Sequence, residues 1–348
     1  MRSGFVSILG RPNAGKSTLL NALIGEKIAI VSNKPQTTRT RIQGILEVPA
    51  RKNRSAAQII FVDTPGVHRP GTQLDRRMMQ EVYEALESRD VVILLVDAAH
   101  YSEADVPGKK LSPQAERQSE EDAFVLELIR KLDCPVFLVI NKIDLVLRAK
   151  LLPLIERLSA SYSFAEVILI SARRKDGLDI LVKKLVEYLP QGQRYFPKEQ
   201  FTDQPERFLV AELIRERILL ETGEEVPYAA AVVVERFEEP TAHAKSPLTR
   251  IAAVIYCERP GQKAILIGKG GAKLKSIGGA ARKEIESLLG TRVYLELHVV
   301  VEKDWRESKQ FVDTLDWRKQ LEDLVQAPAS KPERAVGKVR REISSADE

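Results

Sequence analysis

Cysteine is almost missing from this chain: there are two in 348 residues, Cys134 and Cys257, each isolated in an apolar, strand-like stretch. Neither a disulfide framework nor a thiolate metal site can be built from them, which fits a reducing, cytoplasmic setting. No apolar run approaches the roughly 20 residues of a membrane-spanning helix. No leader pattern precedes the first apolar strand, so neither secretion nor a transmembrane segment is expected; loose peripheral contact at the inner face of a membrane stays compatible. Net charge is also scarce. At +5 over the whole chain it excludes a polycationic scaffold, so any basic character must be local. With 44% hydrophobic residues, the chain can bury two cores, one from about 190 residues and one from about 100, and a monomer is expected.

What the chain does have begins at Gly10. The run Gly10-Arg11-Pro12-Asn13-Ala14-Gly15-Lys16-Ser17 fits the pattern G-x-x-x-x-G-K-[ST]. Upstream, Phe5 to Leu9 reads as a short buried strand; downstream, Thr18 to Ile24 reads as a helix with Leu19, Leu20, Leu23 and Ile24 on one face. A loop in that context turns successive backbone N–H groups inward around phosphate oxygens, and the helix N-terminus adds partial positive charge. Lys16 then reaches the β- and γ-phosphates of a nucleoside triphosphate, and Ser17 ligates Mg²⁺. Next, the buried run Gln58 to Val62 delivers Asp63 at its tip, followed by the tight turn Thr64-Pro65-Gly66. An Asp so placed reaches the metal, usually through water, while Gly66 offers its N–H to the γ-phosphate. The adjacent His68 reads as a loop residue rather than a base.

Two further apolar runs, Val91 to Asp97 and Val136 to Ile140, suit parallel strands covered on both faces. The second ends in Asn141-Lys142-Ile143-Asp144, the N-K-x-D element that reads guanine. Asp144 can accept from the N1–H and exocyclic amine of guanine; against adenine its carboxylate stays unpaired, at a cost of about 1–3 kcal/mol. Asn141 bridges N7 and the neighbouring loops, and a backbone N–H of Ser171-Ala172, after the strand Val167 to Ile170, meets guanine O6. Between the phosphate loop and Asp63 lies the polar, Pro-broken run Lys34-Pro35-Gln36-Thr37-Thr38-Arg39-Thr40-Arg41. This is the place for a switch segment, in which Thr37 or Thr38 closes over the γ-phosphate and Mg²⁺.

Taken together, the Pro12-Asn13 phosphate loop, Pro35-Gln36-Thr37-Thr38-Arg39, Asp63-Thr64-Pro65-Gly66 and Asn141-Lys142-Ile143-Asp144 resemble the Era subgroup of translation-factor-related GTPases over about residues 1–190. The resemblance implies a GTP- and GDP-binding enzyme, with Thr38 as the ligating threonine because it directly precedes the Arg. It assigns catalysis to Lys16, Thr38 and Gly66, and Mg²⁺ to Ser17, Thr38 and Asp63. K⁺ enters as a second cation, for which Asn13 is placed. Val67 stands where Ras-like enzymes carry a water-orienting Gln, so intrinsic hydrolysis should be slow. A tRNA-modifying GTPase has a similar phosphate loop, but it would bring a cofactor-binding domain and a C-terminal catalytic Cys, and the sequence shows neither.

After Leu189-Pro190 the helical pattern stops, and residues 191–205 read as a linker. Beyond it come a helix over Glu206 to Glu221, strands over Tyr228 to Phe237 and Thr249 to Glu258, and a last strand over Thr291 to Val301. Before that strand, Ile267-Gly268-Lys269-Gly270-Gly271 joins two helices. This order resembles a prokaryotic-type KH domain, whose G-x-x-G loop brings its backbone against single-stranded nucleic acid. From Arg259 to Lys283 there are seven Lys or Arg residues and no acidic or aromatic one, so binding should be salt-sensitive and not driven by stacking. Ile267, Gly268, Lys269, Gly270, Gly271, Lys273 and Lys275 form the expected RNA contact, with Ile265, Ile267 and Ile277 lining the groove. The fold class is α/β: a P-loop GTPase domain with a mostly parallel sheet (1–190), followed by an α+β prokaryotic-type KH domain with a terminal helix (206–326). The resemblance implies the 3′ end of 16S rRNA and the small ribosomal subunit as partners. Residues 99–122 read as a polar surface loop and 327–348 as a disordered tail.

Overall fold

The structure is a computed structural model and describes residues 1–34, 36–51, 55–103, 113–223, 226–240 and 247–326. Nearly uninterrupted runs of Val, Ile and Leu build the first sheet: β1 (Arg2–Leu9), β2 (Ile42–Val48), β3 (Ala57–Asp63), β4 (Val91–Asp97), β5 (Val136–Asn141) and β6 (Glu166–Leu169). Their order is β2-β3-β1-β4-β5-β6. All pairs are parallel except β2 with β3. Successive side chains point to opposite faces, so Ile93 and Leu95 enter one core while Val92, Leu94 and Val96 enter the other. Helices α1 (Lys16–Ile24), α2 (Gln73–Glu87), α3 (Ala98–Glu103), α4 (Pro113–Arg130), α5 (Leu151–Ser161) and α6 (Leu178–Tyr188) connect the strands. The parallel arrangement brings the C-terminal ends of β1, β3, β4 and β5 to one edge, with Ile8 level with Asp63 and Asp97 level with Asn141.

The loop expected over 99–122 is mostly helical instead, in α3 and the first part of α4. A proline opening α4 and the good helix formers that follow account for this, and further on Val125, Leu128 and Ile129 bury an apolar face. Residues 104–112 lie outside the described residues, as does the expected tail, 327–348.

A second, smaller unit follows. It comprises α7 (Glu206–Glu221), α8 (Val226–Ala229), β7 (Ala231–Glu238), β8 (Leu248–Cys257), α9 (Pro260–Ile267), α10 (Ala272–Leu289) and β9 (Arg292–Val301). β8 pairs antiparallel with β7 and parallel with β9. Val210, Ile214 and Ile218 of α7 and Ile277, Ala281 and Ile285 of α10 pack on Ala253 and Ile255 of β8. After β9 the chain returns through α11 (Lys309–Thr314) and α12 (Trp317–Gln326) to the first unit. There the fully buried Trp305 and Val312 pack with Leu74 and Met78 of α2. Arg77 meets Asp316 at 2.5 Å, and Arg318 meets Glu81 at 3.1 Å.

Most of the segment between the units is laid along the first sheet. Ile45 N–H donates to Phe201 O at 2.9 Å, and Thr202 Oγ1 donates to Gln43 O at 2.7 Å. The buried amide of Gln58 is central. Its Oε1 accepts from the N–H of Tyr195 (2.8 Å) and Phe196 (3.0 Å), and its Nε2 donates to Phe196 O (2.8 Å). Gln58→Leu would orphan these backbone groups, so we expect a loss of about 1–3 kcal/mol of stability. Faster hydrogen exchange at Tyr195 and Phe196 should accompany it, read by NMR or mass spectrometry alongside thermal melting.

Candidate functional site

The loop between β1 and α1 occupies the C-terminal edge of the sheet. Gly15 precedes the first turn of α1, and the buried Lys16 Nζ donates to Gly10 O and Arg11 O, each at 3.0 Å. A cleft of about 100 Å³ is lined here by Pro12, Asn13, Gly15, Lys16, Ser17, Thr18, Thr38, Gly66 and Lys142. Gly66 lies so close to Pro12 that a Cβ would stand 2.7 Å from the ring and 2.9 Å from its backbone. Only glycine lets the turn after β3 approach the phosphate loop this closely. Ala14 is buried beneath it, and Thr64 Oγ1 donates to Ile8 O at 2.8 Å, locking the Thr64-Pro65 turn to β1. Arg11 points elsewhere: its guanidinium meets Glu121 of α4 at 3.0 Å and His100 at 2.9 Å.

Three oxygens converge beside Lys16. Ser17 Oγ donates to Asp63 Oδ2 at 2.8 Å, Thr38 Oγ1 lies 2.8 Å from Ser17 Oγ, and Thr38 Oγ1 donates to Asp63 Oδ2 at 3.3 Å. Thr37 is turned away, its hydroxyl donating to Lys34 O at 2.6 Å. Burial pushes the Asp63 carboxyl up to about 6, against the pull of Lys16 and of the hydrogen bonds from Ser17 and Thr38. Burial likewise lowers the Lys16 amine to about 8, with Asp63 opposing. Lack of solvent thus weakens the preference of each group for its charged form; phosphate oxygens beside Lys16 and a cation beside Asp63 would strengthen it. The donor set fits Mg²⁺: all three ligands are hard oxygens, and Asp63 Oδ1 is buried with no hydrogen-bond partner among the described residues. No cluster of three or more His, Cys, Asp or Glu able to cage a metal occurs among the described residues.

The base pocket is held together by Asn141. Its Nδ2 donates to Ala14 O and its Oδ1 accepts from Ala172 N–H, both at 3.0 Å, so one amide ties the phosphate loop to the Ser171-Ala172 turn. Of the two backbone N–H groups expected to offer a donor to guanine O6, that of Ala172 is therefore shared with Asn141, and that of Ser171 donates to Asp176 O at 3.1 Å. What Ser171 gives the pocket is its hydroxyl, which donates to Asp144 Oδ1 at 2.7 Å and orients that carboxylate. Lys142, in the left-handed region at φ 62°, donates to Asn13 O at 2.8 Å and to Asp97 Oδ2 at 2.6 Å. Sequence reading took Asp97 only for a strand end; its signal was a carboxylate level with Asn141 on the neighbouring strand.

The switch segment meets the start of α2 at Asp75, also missed from sequence. Its Oδ1 accepts from Gln36 Nε2 at 2.8 Å, and its Oδ2 accepts from the N–H of Gly71 and Thr72 in a capping box that starts α2. His68 lies 3.6 Å from Asp75 through Nε2, with Nδ1 at Arg69 O, so both ring nitrogens are partnered within the loop. Val67 is fully buried in the core beneath.

In the second unit, α9 ends at Ile267, residues Lys269–Gly271 form a single tight turn, and α10 begins at Ala272. Gly268 has φ +71°, and a Cβ there would meet Lys273 Cβ at 2.7 Å, so only glycine permits this turn. Around Gly270 and Gly271 the space is open to about 4 Å. Lys269 and Lys275 are exposed, Ile265 is 52% exposed, and Ile267 is half-buried. Ile277 does not line the groove: it is fully buried, its side chain spent in the core under β8. Lys273 Nζ donates to Glu221 O, at the end of α7, at 2.9 Å.

Fold and site together place the chain among P-loop GTPases that carry a KH domain. The family profile described as 50S ribosome-binding GTPase matches residues 5–142, and that described as KH domain matches residues 225–306. GTPase Era of Geobacter metallireducens is 46% identical over 316 residues, covering 91% of this chain and 98% of that protein. GTPase Era of Geotalea uraniireducens is 47% identical over 311 residues, covering 89% and 96%. An Aquifex aeolicus Era variant bound to GDP·AlF₄⁻ superposes with a TM-score of 0.80 at 38% identity, covering 91% of this chain and 99% of that one. An Era structure in complex with MgGDPNP and nucleotides 1506–1542 of 16S ribosomal RNA gives 0.80 at 39% identity, with the same coverage. The chain belongs to the Era family of GTPases.

Two outcomes test the site. Because Asp63 must lose its proton to take a divalent cation, the Mg²⁺ concentration that half-saturates binding of a fluorescent GTP analogue should rise as pH falls below about 6; Asp63→Asn should flatten that dependence. Asp144→Asn should weaken GTP binding by at least about tenfold through one lost hydrogen bond. It should favour xanthosine triphosphate, whose C2 carbonyl accepts from the new amide, as competition binding would show.

Proposed function

We propose that the chain is a GTP-driven switch that binds single-stranded RNA, the 3′ end of 16S rRNA, and acts in assembling the small ribosomal subunit. The nucleotide site supports the hydrolytic half of this reading. Loop N–H groups and Lys16 hold the β- and γ-phosphates, and Asp144 reads the guanine. Ser17, Thr38 and Asp63 would hold Mg²⁺, which when bound neutralises charge that develops on the phosphate oxygens. A water oxygen forms the new bond to the γ-phosphorus, the bond to the bridging oxygen breaks, and GDP and phosphate leave. Gly66 N–H is the donor for the γ-phosphate oxygen. With Val67 buried, no side chain at that position orients the water, so basal turnover is slow.

K⁺ is the second cation we assign. Asn13 Nδ2 donates to Asn33 O at 2.9 Å, which leaves its Oδ1 as a ligand beside the phosphates. For RNA, the open backbone at Gly270 and Gly271 and the basic flank Lys269, Lys273 and Lys275 supply phosphate contacts, while Ile265 and Ile267 supply apolar ones. We divide the chain at 191–205, with GTPase and KH domains on either side, and read it as a cytoplasmic monomer. Among the described residues no helix is long and apolar enough to cross a membrane. Exposed Leu145, Leu147 and Leu152 suit loose contact with its inner face.

One observation carries the coupling of the two halves: the end of α7 is shared. Lys34 of the switch segment donates to Leu219 O and Thr222 O, and Lys273, beside the G-x-x-G loop, donates to Glu221 O. A phosphate that draws Lys273 away changes the same helix terminus that anchors the switch. The test is GTP hydrolysis with Mg²⁺ and either K⁺ or Na⁺, with a 3′-terminal 16S rRNA oligonucleotide or a scrambled one. The native oligonucleotide should accelerate turnover roughly tenfold, K⁺ should exceed Na⁺, and Gly270→Asp should abolish the RNA effect. Equal rates throughout, with RNA binding indifferent to GTP or GDP, would overturn the coupled reading.

A further inference from the structure

The segment between α1 and β2 carries Thr38, yet none of its described residues belongs to a helix or strand. Its conformation is imposed from outside. Gln36 sits at φ +57°, a left-handed conformation that a non-glycine side chain rarely adopts. Such a residue persists only where its surroundings over-determine it. Asp75 holds its side chain, and the second unit holds its backbone. Arg215 of α7 donates to Thr37 O through one nitrogen and to Gln36 O, at 3.4 Å, through the other. The Arg215 side chain is 3% exposed, and both Glu212 oxygens brace it, at 2.7 and 2.6 Å, so its planar fork is set before it meets the switch.

The Thr37 carbonyl and the Thr38 N–H lie in one peptide plane. Fixing that carbonyl fixes the plane from which Thr38 projects its hydroxyl toward Ser17 and Asp63. The neighbouring contacts run the same way. Glu216, one residue along α7, accepts from Val31 N–H at 2.9 Å. Beyond Thr38, Arg39 donates to Ala230 O (2.7 Å) and Tyr228 O (3.0 Å) and lies over the Trp305 ring at 5.6 Å. Burial and the charge on Arg215 lower Arg39 to about 9, so two guanidinium groups flank Thr38 under mutual repulsion, an arrangement that the carbonyl and Glu212 contacts must offset.

We propose that Arg215 is a positioning residue for GTP hydrolysis, supplied to the nucleotide site by the RNA-binding unit: it sets Thr38 at the cation cluster through the Gln36 and Thr37 carbonyls. The inference rests on the reading of Thr38 as a ligand of the nucleotide-bound cation. Arginine is required because two carbonyls on successive residues are met by one planar fork; a lysine supplies a single point of charge.

The test is single-turnover hydrolysis by the full chain, titrated with Mg²⁺ and without RNA, for Arg215→Met alone and in a Thr38→Ala background. Arg215→Met should slow the step about tenfold and raise the Mg²⁺ needed for half-maximal rate. GDP affinity, and rRNA-oligonucleotide affinity of the GDP-bound protein, should stay within about twofold, because neither uses Thr38. In the Thr38→Ala background the second substitution should change nothing further, and Arg215→Lys should restore little. Glu212→Gln, which loosens the fork without opening the interface, should shift the same two quantities less, and it replaces Arg215→Met if that variant melts early. A natively folded Arg215→Met with unchanged rate and Mg²⁺ dependence overturns the proposal, as does an equal loss with and without Thr38. Should RNA leave the wild-type rate unaltered, the coupled switch fails, while the basal effect of Arg215 still decides its own role.

Discussion

A carboxylate with no access to solvent governs this molecule. Asp63, at the tip of a central strand, is fully buried, and burial alone drives it toward the neutral form. Its charge is sustained by Lys16 and by hydroxyls from two other parts of the chain, Ser17 at the start of α1 and Thr38 in the segment before β2. Three elements therefore converge on one oxygen atom, and only one of them, the switch segment, is free of regular secondary structure. Whatever holds or releases Thr38 changes the environment of Asp63, and so the affinity of the site for a divalent cation.

That dependence gives the second half of the chain its leverage. The switch segment has little internal support, and it borrows support from α7, through Arg215 and the carbonyls at the end of the helix, and from the turn at 227–230, through Arg39. The same helix is packed against α10, whose first turn follows the G-x-x-G loop. The G-x-x-G flank and the switch segment thus both contact α7, and under the proposed coupling linkage would make their effects reciprocal. The strap of residues 191–202 is fixed by Gln58 and by the edge of β2.

Much of the site was legible in the chain because its chemistry is local in sequence. The phosphate loop needs strand, turn and helix in immediate succession, and the guanine-reading Asp144 lies a few residues beyond a buried strand, so Gly10 to Ser17 and Asn141 to Asp144 announce themselves. Other members could not be seen this way. Asp97 is an unremarkable strand end until pairing sets it level with Asn141. Asp75 is an ordinary capping residue until Gln36 reaches it. Ile277 suits a groove by sequence position, but one further turn of helix rotates it into the core. The length of α4 was hidden by a polar composition that suits a solvent-facing helix as well as a loop.

The sequence by itself determined the nucleotide and its base and the presence of an RNA-binding loop, because each is written in contiguous residues whose spacing obeys the geometry of a single turn. Only tertiary structure decided how one asparagine amide is divided between two loops, and that an arginine some 180 residues away holds the switch. These depend on hydrogen bonds to backbone N–H and C=O groups, which no side-chain pattern can mark.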